Sequence, residues 1–111
     1  MSGQRLCRLT DIPDGEAKGF TVETAAGKRD ILVHRDGNVV RGYVNSCPHV
    51  GSPLDWAPDR FISLDGFHLL CGTHGALFRP DDGYCISGPC AGDSLERVPV
   101  RLFEDEVVFG E

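Results

Sequence analysis

No stretch of this 111-residue chain is apolar for long enough to cross a bilayer, and its N-terminus, "MSGQRLCRLTDIPDGE", lacks an apolar run of signal-peptide length. A cytoplasmic protein is therefore expected, in a compartment that keeps thiols reduced. Basic residues are scarce: 11 Lys and Arg stand against 17 Asp and Glu, a net charge of −6. Such a surface repels nucleic acid and anionic membranes and is steered toward a partner with a basic patch, although solubility alone also accounts for it. No window keeps a helical period, nothing repeats, and no segment has linker composition. There is no Gly-rich dinucleotide fingerprint, so a built-in reductase is not expected.

What is present points to strands. Apolar residues make up 41%, an ordinary globular share, and 14 glycines and 7 prolines supply many turns. One domain spanning 1–111 is expected. "RLCRL" reads as a first strand, followed by the turn-rich "DIPDGEAKG". "FTVET" alternates with period two, and "RDILVHR" has a β-branched centre. Asp36-Gly37-Asn38 marks a hairpin between "ILVHR" and "VVRGYV". Asp65-Gly66 marks a second between "RFISL" and "FHLLC". Residues 80–83 form a third turn before "YCIS". The tail gives "ERVPVRLF" and "EVVFG", parted by acidic Glu104-Asp105. "SPLDWAPD" is the one place where a short helical turn is expected. The fold class is all-β, with eight to ten short antiparallel strands.

Two loops carry the chemistry. In "NSCPHVGSPLDW", Cys47 and His49 follow the strand "GYVN"; in "LLCGTHGALF", Cys71 and His74 follow two leucines. The hairpin in segment 50–70 returns the chain to the same end of the sheet, so the loops can face each other. Two cysteines and two histidines suit one tetrahedral zinc, but zinc fingers usually pair like with like on separate elements. Here each loop mixes thiolate and imidazole. That suits two metal atoms reached by both loops, one iron taking both thiolates and the other both imidazoles, bridged by sulfide. Neither box is specific alone; the two in this order, each after a strand, are. Structural zinc remains the alternative for these four residues, and simple packing the plainest one.

The pattern resembles the Rieske domain superfamily, and Rieske-type ferredoxins within it, over nearly the whole chain. "CPHVG" is similar to the first ligand box and "CGTHGALF" to the second. "SGPC" is similar to the proline-bearing loop that covers the cluster, which places Gly88 and Pro89 beside it. The resemblance implies a small antiparallel β-sandwich or barrel with a cluster-binding portion at about 45–90. It implies one [2Fe–2S] cluster held by Cys47, His49, Cys71 and His74, with backbone N–H groups near Gly51, Gly72 and Gly75 bonding to sulfur. Two departures stand out. Where high-potential Rieske proteins have a disulfide-bonded cysteine in each box, this chain has Ser52 and Thr73. Where they have a serine and a tyrosine donating to cluster sulfur, it has Ala76 and Phe78.

Formal charge explains the histidines. Two ferric ions and two sulfides sum to a double positive charge, which two thiolates cancel and four would overshoot, so the mixed site takes an electron more easily. Rieske centres span roughly −150 to +300 mV against about −400 mV for plant-type ferredoxins. Without the hydroxyl donors, a potential near the bottom of that range is expected.

An oxygenase would need a second iron, and the spare histidines, His34 and His68, fall within predicted strands with no catalytic domain around them. The chain is read as an electron-transfer component, not an enzyme by itself, carrying electrons from a reductase to a terminal oxygenase. The small Rieske-like subunit of an assimilatory nitrite reductase is the alternative, and a redox-responsive or zinc-bound structural module is the alternative from another class. Cys85 and Cys90, flanking the third loop, are read as buried inert thiols rather than a disulfide; Cys7 and Trp56 are read as packing residues, and the acidic 104–106 as a solvated turn.

Overall fold

A computed structural model describes residues 4–25, 27–46, 54, 61–63, 66, 68–71, 75–88 and 91–110. Within them lie ten strands: β1 (Gln4–Arg8), β2 (Ala17–Thr24), β3 (Gly27–Asp36), β4 (Val39–Val44), β5 (Leu69–Leu70), β6 (Leu77–Phe78), β7 (Cys85–Ser87), β8 (Arg97–Val98), β9 (Val100–Phe103) and β10 (Glu106–Phe109). Helical structure among the described residues is limited to a 3-10 turn at Leu9–Asp11. The all-β class is as expected. The expected turn in "SPLDWAPD" lies outside the described residues, Leu54 apart.

The strands form three antiparallel sheets ordered β1-β10-β9, β2-β3-β4-β8 and β5-β6-β7. The β3–β4 hairpin closes where Asp36 pairs with Val39, around Gly37-Asn38. The β9–β10 hairpin closes where Phe103 pairs with Glu106. Its loop residues, Glu104 and Asp105, both adopt positive φ (52° and 67°), as a two-residue type I′ turn demands. Pro99 interrupts "ERVPVRLF", which pairs with two different sheets on either side of it. The turn at 80–83 is tightened by the Arg79–Asp82 ion pair and by the Tyr84 N–H donating to Asp82 Oδ1 at 3.0 Å. The Arg79 guanidinium holds the Asp82 carboxyl below its ordinary range.

β3 explains how the layers fit. Ile31, Leu32, Val33 and His34 are all buried, so the strand has an apolar neighbour on each face. Period two sends Ile31 and Val33 into a cluster with Cys7, Ile12, Val22 and Val107. Leu32 joins the opposite cluster with Tyr43, Leu54, Phe61, Leu69, Cys71, Phe78 and Cys85. The first cluster underlies β1, β9 and β10; the second underlies the short sheet β5-β6-β7. Burying each large apolar side chain contributes about 1.5–3 kcal/mol, so both clusters add substantially to stability. Cys7 is a core residue as expected, and burial pushes its thiol pKa up, with Asp11 adding to the effect.

"RFISL" is a partial exception to the strand reading. Its described part pairs through a single bridge, Ile62 to Leu69, flanked by Ser63 N–H to His68 carbonyl (2.9 Å) and Leu70 N–H to Phe61 carbonyl (2.7 Å). The expected reversal is there, but β5 itself spans only two residues, and His68 lies just before it instead of within it.

Candidate functional site

The second box is rooted at the end of β5. Cys71 directly follows Leu70 and is fully buried. Its N–H donates to the Ala76 carbonyl at 2.9 Å, and the Gly75 N–H donates back to the Cys71 carbonyl at 2.8 Å. Leu70 and Leu77 then begin the β5–β6 ladder. Cys71 is thus paired with Ala76 and Gly75 where the β5–β6 ladder ends, which is why a cysteine sits at the end of a strand with glycine close after it. Ala76 and Phe78, the positions without hydroxyl groups, are fully buried in the same cluster as Cys71. His74 lies outside the described residues.

The first box is anchored at both ends. Upstream, Val44 ends β4, its N–H donating to the Glu96 carbonyl (2.8 Å), and the Asn45 N–H donates to the Asp30 carbonyl (2.9 Å). Downstream, Leu54 is fully buried among the residues that surround Cys71. The Leu54 N–H donates to Asn45 Oδ1 at 2.7 Å, so one side chain bridges the ends of the segment. Cys47 and His49 fall between them in sequence, outside the described residues.

The third loop lies on the second box. Gly88, one residue past β7, has φ +103°, and a Cβ added there would sit 2.7 Å from Ala76 Cα and 3.2 Å from Ala76 N. Only glycine permits both that backbone conformation and that approach. The loop closes through Ala91 N–H to Gly88 carbonyl (3.1 Å), Gly92 N–H to Cys85 carbonyl (3.1 Å) and Cys85 N–H to Asp93 carbonyl (2.8 Å). The Cys85 side chain is fully buried, with Sγ 3.2 Å from the Ser87 carbonyl, in keeping with a buried inert thiol. Pro89 and Cys90, with Trp56, lie outside the described residues.

Of the expected site residues, the structure therefore describes Cys71, Gly75 and Gly88; it brings the segments of Cys71 and Gly88 into contact through Ala76, and it ties the Gly75 N–H to the Cys71 carbonyl. The donor chemistry and this glycine-lined approach fit an iron–sulfur centre: a buried thiol position, small neighbours, and a loop packed close over the turn. The spare histidines go elsewhere. His34, in β3, and His68 line one cavity of about 520 Å³ with Arg41, Arg79 and Asp81. His34 is buried, its Nδ1 has no hydrogen-bond partner among the described residues, and burial lowers its pKa from the ordinary 6.5, against a smaller opposing effect of Asp36. Among the described residues no cluster of three or more His, Cys, Asp or Glu is placed to hold a metal ion.

Sequence reasoning missed Asn45. An Asn straight after a strand is a recognised signal for side-chain-to-backbone bonding. Its partner nine positions on, however, depends on where the loop returns.

The Rieske [2Fe-2S] domain model matches residues 2–104. The chain belongs to this family. A Rieske domain is one built around a [2Fe–2S] cluster. Comparison with curated proteins gives no sequence match. Solved structures do match. The ferredoxin of carbazole 1,9a-dioxygenase from Nocardioides aromaticivorans IC177 superposes with a TM-score of 0.77 at 19% identity, over 99% of this chain and 98% of that one. The Sphingomonas yanoikuyae B1 ferredoxin gives 0.72 at 23% identity, over 99% of both. The terminal oxygenase of carbazole 1,9a-dioxygenase from Novosphingobium sp. KA1 gives 0.74 at 20% identity, over 96% of this chain but 29% of its own. At these identities the likeness is one of fold. Among the described residues, no helix of this Rieske domain is long and apolar enough to cross a membrane.

Proposed function

We propose that this chain is a one-electron carrier, a Rieske-type ferredoxin that passes electrons from a reductase to a terminal oxygenase. The observation that carries the reading is the pair of Cys/His boxes, one following β5 and the other following β4, within a Rieske domain. Its fold is similar to that of two ferredoxins, one of them described as belonging to a dioxygenase. Residues 1–111 act as one domain, working in the cytoplasm.

Cys47 and Cys71 hold one iron as thiolates, and His49 and His74 hold the other as neutral imidazoles. When bound, the cluster supplies reversible one-electron chemistry. Cys71 brings its sulfur from a fully buried position, which excludes water from the thiolate side. Backbone N–H groups near Gly51 and Gly72 donate to sulfur, the Gly75 N–H expected to join them being held by the Cys71 carbonyl instead, while Gly88 and Pro89 cover the site. Ala76 and Phe78 offer no hydroxyl donor, which favours a midpoint near the low end of the Rieske range of about −150 to +300 mV.

Anaerobic purification followed by iron and sulfide counts, visible spectra and EPR of the reduced protein tests the reading. Two irons and two sulfides per chain with a mixed-ligand signal are expected, along with rapid reversible reduction by a flavin reductase. A single zinc in the site would defeat it, and a midpoint well above zero would defeat the low-potential expectation alone. Substituting Phe78→Tyr should raise the midpoint by restoring a hydroxyl.

A further inference from the structure

One polar contact near the site serves no ladder and no turn of its own. Asn45 stands one residue beyond β4, its backbone N–H donating to the Asp30 carbonyl at 2.9 Å. Its neighbours are also tied: the Val44 N–H donates to the Glu96 carbonyl (2.8 Å) and the Ser46 N–H to the Val44 carbonyl (2.9 Å). This point of the chain is therefore fixed to the central sheet. From it, Oδ1 accepts the N–H of Leu54 at 2.7 Å. Leu54 is fully buried in the cluster that contains Cys71 and Ala76, the roots of the second box.

Resting on the reading of Cys47 and His49 as ligands, we propose that Asn45 is a positioning residue for the first ligand box. Its amide oxygen fixes where that box leaves the central sheet and where it enters the core beside the second box. The chemistry needed is a hydrogen-bond acceptor of Asn length on a backbone already pinned. With both ends of the first box set by the fold, less is left for iron to impose on it. Less chain entropy is then lost when the donors assemble, and less is regained when iron leaves.

The test uses the full chain loaded anaerobically, with the rate of bleaching by an iron chelator and the EPR signal of the reduced form as readouts. Asn45→Ala removes the acceptor and should bleach about tenfold faster or more, with a broadened signal, whereas Asn45→Asp keeps the acceptor and should stay within about threefold of wild type. Asn45→Ser, with a shorter acceptor, should fall between and decides the matter if the alanine variant does not accumulate folded. Tyr43→Phe, which loses a hydrogen bond away from this box, controls for general destabilisation. Bleaching of Asn45→Ala at the rate of Tyr43→Phe, or failure of Asn45→Asp to retain the cluster, overturns the role of Asn45 alone. A wild-type chain without a mixed-ligand signal overturns the ligand reading itself, and this inference with it.

Discussion

The two ends of this molecule are held together differently. At the base, β2 and β3 pair over eight successive positions and β3 and β4 over six, and the cluster around Ile31, Val33 and Val107 fills the space against β1, β9 and β10. At the site end, β5 and β6 share two pairs, and β6 and β7 another two. Among the described residues there, single contacts join the segments: Cys71 to Ala76, Asn45 to Leu54, Gly88 against Ala76, and Tyr43 Oη donating to the Pro80 carbonyl at 2.8 Å. A long ladder survives the loss of any one bond. A single contact has no such redundancy, and a bound group would add to the order of the segments it joins.

The sharpest way to break this contrast is to take the cluster away. In Cys71→Ala, or after chelation, hydrogen exchange should show the site-end amides of Leu70, Cys71 and Gly75 losing protection by about a hundredfold or more. Amides in the β3–β4 ladder should change by no more than a few-fold. Uniform loss across both ends would mean that the domain folds and unfolds as one unit and that the contrast is superficial.

A pair of glycine substitutions comes next. Gly88→Ala places a Cβ 2.7 Å from the Ala76 backbone at a φ of +103°, so strain and overlap add, and a cost of about 2–4 kcal/mol is expected from chemical denaturation. Gly15, on the base, also has positive φ (+83°), but a Cβ there meets nothing within 4 Å. Gly15→Ala should cost only the backbone strain, about 1 kcal/mol. Equal costs would show that close approach at Gly88 is not what holds the third loop down.

The same division governs what could be read in the sequence. The base announces itself: "ILVHR" and "VVRGYV" around Asp36-Gly37-Asn38 specify a hairpin because period and turn residues are local signals. Even there, the β2–β3 hairpin was less legible, since its turn at 25–26 carries no Asn-Gly or Asp-Gly signal. It closes instead with the Thr24 hydroxyl donating to the Gly27 carbonyl at 2.7 Å. At the site end, the Cys/His spacing is legible as chemistry, since few other roles need those residue types in that order. The supports of the site are not. Asn45 and Leu54, or Gly88 and Ala76, meet only after several elements are placed, and no local pattern encodes a contact between backbone segments so far apart. "RFISL" shows the converse: a strand-like run whose described part keeps one bridge because its neighbour β5 is only two residues long.

Tyr43 joins the two ends, since its ring is buried in the cluster shared with Cys71 while its hydroxyl ties down the turn at Pro80. Tyr43→Phe keeps the ring and removes one hydrogen bond, so about 1 kcal/mol of stability should be lost, measured by urea denaturation of the loaded protein. The loss should appear at the 80–83 turn and leave the β2–β3 ladder unmoved. A larger effect, spread over both ends, would make Tyr43 part of the base instead of a tie between the two.

The smallest expected effect belongs to His34, on the face of β3 that looks toward the site end. Burial lowers its pKa below the ordinary 6.5; Asp36 and Asp14 oppose that shift and Arg41 reinforces it. The unfolded chain therefore takes up a proton on this residue at a higher pH than the folded one does. The stability tied to neutral His34 is complete above pH 6.5 and is lost as pH falls from there through the lower folded value. His34→Leu removes this dependence. Denaturation midpoints of variant and wild type, each carrying the same cluster histidines, should differ by a constant amount above pH 7. Below pH 6.5 the wild type should lose ground to the variant. Parallel curves down to pH 5 would mean that His34 is protonated equally well in both states, so that its buried Nδ1 is reached by water and this face of β3 is less sealed than the ladder around it implies.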